Sequence, residues 1–411
     1  MSLVLVQVGQ CGNQVGKCLL EGVSDVLNGG GGAKKFVDWR ELTAERFFRR
    51  ERNDVWMARA VLVDTENKVI DRLLLPKKST WHYSHKNSLK LSGGCGNLWS
   101  RGYCEYGPIL SDQTIDIVQS ELEKCDSVGG LIILMSAAGG TGSGVGAHLT
   151  QVFRDAFPRT FIVNQLVWPY STGEVVIQSY NTLLTLSHIS PFADALLNFY
   201  NDELHQICTR FNTSINIDNL NSVLGDQLAA TFCPSFDSNN HVTRLGDLLE
   251  NLTSHSGFKM LSVKSVPHTA PRARDFSTDT WIGLSKLLAR EVGRKSVSLS
   301  DVAIVRGNDA KNADLSEFVR SRRYAAIVTG QVACQVWRED AAVSKDPLNI
   351  TLVGNNAGIA GALERTIERA WRLMSNGAYL HHMAKHGIGQ EQLADAITSV
   401  SRISANYSCL T

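Results

Sequence analysis

The chain has 411 residues, 43% of them hydrophobic, enough apolar material for a large core and, by length, for two or three domains. Its 41 basic and 40 acidic side chains leave a net charge of +1, which excludes a protein drawn to nucleic acid or to an anionic membrane by bulk charge. Nine cysteines, odd in number and without CxxC spacing, point to reduced thiols in a cytosolic protein rather than to disulfides or a zinc site.

The sequence enters at once on LVLVQV (residues 3–8), apolar and strand-like, so no secretory leader is expected. No apolar run reaches the ~20 residues of a membrane span. The strand runs into GQCGNQVGK, Gly9 to Lys17. A P-loop needs GxxxxGK[ST], yet Cys11 stands where the first glycine belongs and Cys18 where the metal-binding hydroxyl belongs. The glycines at 9, 12 and 16 miss the dinucleotide pattern GxGxxG as well. What remains is a tight turn opening a helix, either a turn only or one whose Gln10, Cys11 and Asn13 lie close to a ligand. GGGG at 29–32 reads as a flexible loop.

ARAVLVD (58–64) is the next strand candidate, and it ends in VDTEN. Asp64 and Glu66 are either helix-capping acids or, beside a phosphate chain, holders of a hydrated Mg²⁺, which needs only one or two carboxylates. GGCGNLWSRG, Gly93 to Gly102, adds a glycine loop with Asn97 as a phosphate or sugar contact and Trp99 as a packing residue. A helical pattern covers 114–125.

LIILM, Leu131 to Met135, is short and continuously apolar, as expected of a strand buried on both faces of a parallel sheet. SAAGGTGSGVG follows from Ser136, and then Val145, Leu149, Val152, Phe153 and Phe157 recur at helical spacing. Strand, glycine loop and helix N-terminus in that order make an anion cradle, because unpaired N–H groups converge where the helix dipole is positive. Thr141 and Ser143 add hydroxyl donors. FIVNQLVW (161–168) is a further strand, so the first half alternates strands with helices as a doubly wound α/β domain does. In such sheets ligands sit at the carboxyl ends of the strands, where these loops lie.

A helix is expected over 213–230, then an α+β region with strands MLSVKSV (260–266), AAIVTGQVACQV (325–336) and NITLVG (349–354), then a helical tail from about 362. RSRR, Arg320 to Arg323, reads as a solvated face, and the pair His381 and His382 as surface.

GQCGNQ, VDTE, GNLW before Arg101 and GGTGSG at Gly139 resemble the successive nucleotide loops of the tubulin superfamily, in its order and spacing. WPYSTGEVVIQSYNTLLTLSH (168–188) resembles its sugar-binding loop and following helix, and NDELHQIC from Asn201 the start of its central helix. ERFFR, CDSVGG, LTSHSGFKMLSVKSVPH and the ending NYSCL are most similar to the δ branch, with the γ branch the nearest rival. The resemblance implies a doubly wound, tubulin/FtsZ-like GTPase domain over 1–200, a central helix with an intermediate α+β domain over 201–362, and a C-terminal helical segment over 363–411.

Carried over residue by residue, it implies that Gln10, Cys11, Asn97, Ser136, Gly139, Gly140, Thr141 and Gly142 line the phosphates of GTP or GDP. Asp64 and Glu66 then lie on the Mg²⁺ side, Glu174 at the ribose, and Asn201 and Asn221 at guanine, whose donors and acceptors an amide can match. It also implies other tubulins as head-to-tail partners, centriolar and basal-body proteins as further ones, and a place in the cytoplasm on the cytoskeleton, supporting triplet microtubules. Neither nucleic acid nor membrane is an expected partner. The competing readings are a γ-tubulin-like nucleation factor and a soluble enzyme that uses a nucleotide as cofactor.

Three departures stand out. Ile217 replaces the aromatic ring the family stacks on the base. Ser254 stands where α-tubulin carries the acid that activates water on the neighbouring subunit, and an unassisted serine is no general base near neutral pH, so at most weak GTPase activity is expected. The residues after 405 lack the acidic tail of α- and β-tubulin, so no motor recruitment by that route is expected.

Overall fold

The first expected strand forms Ser2–Val8, and every residue of it is buried, as a strand covered on both faces should be. The computed structural model describes residues 1–28, 37–51, 55–75, 79–173, 175–211, 214–269, 279–293, 296–325, 333–343 and 346–410. They fall into two units, each drawn from separate stretches of chain. The first takes Met1–Lys17, Phe47–Asp202 and Ala360–Asn406; the second takes Cys18–Arg46, Glu203–Ile359 and the residues from Tyr407 on.

In the first unit Ser2–Val8 is flanked by Ala60–Asp64 on one side and Val128–Ser136 on the other, all parallel. Ser88–Lys90 extends the sheet beyond Ala60–Asp64. Ile162–Trp168 and then Ala195–Tyr200 extend it beyond Val128–Ser136. In chain order these six strands lie 3-2-1-4-5-6, the doubly wound arrangement, whose reversal falls between Ser2–Val8 and Val128–Ser136. The register matches Val6 with Ile133 and Val8 with Val63, so the ends of the three central strands lie side by side.

Helices Gly9–Asn28, Gly107–Glu123 and Gly146–Ala156 supply the crossovers. Helix Gln178–Ile189 buries all but two of its twelve residues, Ser179, Thr182 and Thr185 included, so it is an interior element. ARAVLVD is shorter as a ladder than expected, because Trp56–Ala58 pairs in a separate small sheet with Phe48–Arg50 and Trp81–His82. GGGG at 29–32 and most of AAIVTGQVACQV lie outside the described residues.

The second unit holds a mixed sheet. Met260–Val266 pairs antiparallel with Leu348–Asn356, which pairs antiparallel with Val297–Gly307. Val297–Gly307 also pairs in parallel with Cys334–Glu339 and, at its start, with Arg323–Tyr324. Helices Trp281–Val292 and Ser316–Ser321 cover this sheet through Leu284, Leu288 and Phe318 against Ala303, Val305 and Ile350.

Val297–Gly307 went unrecognised in the sequence, although all eleven of its residues are buried. Ser298, Ser300 and Asp301 give it a polar start. Those groups are satisfied inside: Asp301 accepts from Ser298 Oγ at 2.8 Å, from Tyr324 Oη at 3.0 Å and from Arg322 Nε at 2.8 Å. The same contact corrects the reading of RSRR, since Arg322 is a buried ion-pair partner while Arg320 and Arg323 face solvent. His381 and His382 are exposed, as expected.

Candidate functional site

The site is built at the strand reversal in the first unit, where the loops after Val8 and Ser136 meet. Gly9 sits at φ +72°, and a Cβ there would lie 2.7 Å from Gly142 N. A Cβ on Gly12 would lie 2.0 Å from Leu134 O. Both are backbone contacts that cannot yield cheaply, so the two glycine runs are matched surfaces. Beyond them the loop of residues 93–98 turns through left-handed Gly94, Gly96 and Asn97. It closes on Gly140, where a Cβ would fall 2.5 Å from Cys95 Cβ.

Close packing of bare backbone leaves donors over. Among the described residues, the N–H groups of Gly139, Gly140, Thr141 and Gly142 meet no acceptor, and the first carbonyl contact of this turn is Gly144 N to Gly140 O at 2.9 Å. Such N–H groups at the start of a helical segment suit an anion. Gln10 is exposed and Cys11 half-buried in the first turn of Gly9–Asn28, a second helix N-terminus aimed from the same strand ends. Ser136 ends its strand half-buried, and Asn97 is exposed.

Several side chains named from the sequence turn inward instead. Asn13 is fully buried and donates to Gly9 O at 2.9 Å and Val63 O at 3.2 Å, strapping two strand ends together. Ser143 is buried and its hydroxyl donates back to Gly139 O. The Thr141 hydroxyl lies 2.5 Å from that of Thr65 and 3.4 Å from Cys95 Sγ. Trp99 packs inside as expected, fully buried and against Tyr103 with ring centroids 4.4 Å apart.

Asp64 ends the second central strand, 3% exposed, its Oδ1 accepting from Glu66 N at 3.3 Å. Its Oδ2 is buried and has no partner among the described residues. Burial pushes this carboxyl up to about 6, with the neighbouring Glu66 charge a smaller contribution in the same direction. An orphaned carboxylate oxygen that resists ionisation is a fit for a cation, which would remove both costs. Glu66 is exposed at the N-cap of helix Asn67–Leu74 and makes no capping bond there. No group of three or more metal-ligand side chains occurs among the described residues, and magnesium does not require one. Burial pushes the Cys11 thiol up to about 12 and raises Cys95 as well, so both are neutral.

The remaining residues are spread along the chain. Asn201, half-buried, opens helix Asn201–Arg210 at the end of the first unit's last strand. Asn221 is buried in helix Ile217–Phe232 of the second unit, and Ile217 at that helix's start is 57% exposed. Glu174 lies outside the described residues. Ser254, Glu250 and His255 are all exposed around the end of helix Leu245–Leu252.

Sequence reasoning passed over Thr65, Cys95 and above all Asn181, which holds the loops from behind. The available signal was an asparagine on a helix whose neighbours are Tyr180, Leu183 and Leu184, all buried, where an unpaired amide is costly.

A family profile described as "Tubulin/FtsZ family, GTPase domain" matches residues 2–209. The chain is 36% identical to a tubulin delta chain of Macaca fascicularis and 36% identical to one of Homo sapiens, each match covering 99% of both chains. It is 26% identical to a tubulin epsilon chain of Mus musculus, over 99% of this chain and 95% of the relative.

Proposed function

Because the chain belongs to the tubulin/FtsZ family, we propose that it is a δ-tubulin-like, guanine-nucleotide-binding component of the cytoskeleton that works by assembly at centrioles and basal bodies. The observation that carries the reading is the run of N–H groups from Gly139 to Gly142, without an acceptor among the described residues and packed against the first helix N-terminus at Gly9. Those amides, with Gln10, Cys11 and Asn97, would hold the phosphates. Ser136 and Thr141 border them. Asp64, through its orphaned oxygen, and Glu66 would hold Mg²⁺, which supplies positive charge against the polyphosphate. Glu174 would meet the ribose, and Asn201 and Asn221 the guanine.

Full-length similarity to tubulin delta chains supports the choice of branch, and the δ resemblance is what suggests triplet microtubules. Partners are then other tubulins, met head to tail. Such heterologous contacts extend into open filaments or cap their ends. Titration calorimetry with GTP, GDP, ATP and NAD tests the chemistry: GTP and GDP are expected to bind and the other two not. Equal heat from ATP, or none from GTP, overturns the reading. Tagged protein in ciliated cells is expected to concentrate at basal bodies, and a diffuse distribution counts against the assignment of place.

A further inference from the structure

Two of the loops at the strand reversal share one side chain. Asn181, fully buried in helix Gln178–Ile189, donates from Nδ2 to Asn97 O at 2.7 Å and to Ala138 O at 2.8 Å. Its Oδ1 accepts from Trp99 N at 3.2 Å. The three bonds fix the amide's orientation, because two carbonyls demand the NH₂ and one N–H demands the oxygen. Only a side chain with two donors and one acceptor at this reach fits. Next to it Thr185 Oγ1 donates to Ala137 O at 3.0 Å, one residue earlier in the same loop. On the other side the loops are in direct contact through Gly140 and Cys95.

We propose that Asn181 is a positioning residue for polyphosphate: it binds the 93–98 loop to the 137–142 loop so that the donors of both converge on one ligand. The proposal rests on the guanine-nucleotide reading above. Asn181 does not meet the ligand. Its amide sets the distance between Asn97 and Gly139–Gly142 before the ligand arrives, and pre-organisation of this kind strengthens binding without a new contact.

The test is Asn181→Asp, which keeps the acceptor for Trp99 N but sets a carboxylate oxygen against two carbonyls. In the full-length protein, calorimetry is expected to find GTP bound about 10- to 100-fold more weakly, the equivalent of one or two lost buried hydrogen bonds. A carboxylate so placed has a raised pKa, and once protonated it regains one donor. The variant-to-wild-type affinity ratio is therefore expected to narrow between about pH 8 and about pH 6, and using the ratio removes titration of Asp64, present in both proteins. A merely structural lesion leaves that ratio constant. Folded variant with wild-type affinity overturns the proposal alone, whereas failure of the wild type to bind GTP overturns the functional reading and the proposal with it. If the variant does not fold, hydrogen exchange on the wild type decides: the Trp99 amide and the amides of 138–142 are expected to gain protection together when GTP is added, and independent responses overturn the proposal.

Discussion

At the scale of single residues, Asp64 is the group whose titration the fold resists. Its pKa is raised to about 6 from an ordinary value near 3.8, so its contribution to stability is complete below the unfolded value and is lost as pH rises through 6. At neutral pH the folded protein thus carries a buried carboxylate whose Oδ2 has no partner among the described residues. Replacing it by an uncharged isostere, Asp64→Asn, is expected to stabilise that state by about 1 to 3 kcal/mol at pH 7.5, two pKa units being the upper bound. The same change is expected to abolish the dependence of GTP affinity on Mg²⁺. Urea melts with and without nucleotide separate the two effects; a variant less stable than wild type in both conditions refutes the account. The glycines of this site were legible because a missing side chain leaves a direct mark in sequence. Asn13 and Ser143 were legible as polar groups but not in direction, since a hydroxyl or amide next to a bare carbonyl bonds to it first.

At the scale of elements, the C-terminal end of helix Ile217–Phe232 shows how the second unit deals with orphaned carbonyls. Arg306, fully buried on the strand Val297–Gly307, donates to Ala230 O at 3.0 Å, Pro234 O at 2.9 Å and Cys233 O at 2.6 Å. Arg46 donates to Phe232 O at 2.8 Å and Thr243 O at 2.8 Å, and Trp39 Nε1 to Pro234 O at 2.9 Å. Burial lowers the pKa of Arg306, yet its planar fork lets one side chain serve three acceptors at the negative end of a helix dipole. Arg306→Met is expected to cost about 3 to 5 kcal/mol, because buried carbonyls that lose their donor cost about 1 to 3 kcal/mol each, and Arg306→Lys to recover less than half of it. Chemical denaturation reads both, and full recovery by lysine contradicts the geometric argument. This strand was hidden in the sequence because its polarity is compensated by distant residues, Arg322 and Tyr324, that no local pattern connects to Asp301. The strands of the first unit were visible because parallel central strands are apolar on both faces and leave nothing to be compensated.

At the scale of the whole molecule, the resemblance to tubulins implies that nucleotide turnover would need an acid from the neighbouring subunit, and it aligns exposed Ser254, which cannot act as that base, with the acid's position. With αβ-tubulin added, wild-type protein is expected to leave GTP turnover slow, and Ser254→Glu to raise it about tenfold or more, within the usual range for a positioned general base. A rate left slow by the substitution counts against this assignment of Ser254. What the sequence could not disclose at this scale is that residues 18–46 join the second unit and Ala360–Asn406 the first, because periodicity reports on a segment's neighbours in sequence and not on its destination.

The position of Ser2–Val8 at the centre of its sheet also bears on how the polypeptide is made. It leaves the ribosome before either strand that flanks it, and its second edge is satisfied only once Val128–Ser136 has been synthesised. Until then seven residues destined for complete enclosure present open hydrogen-bonding edges and apolar faces, a surface apt to pair wrongly with other nascent chains. Translation without holdase chaperones to shelter this strand is accordingly expected to yield insoluble product even where the finished fold is stable.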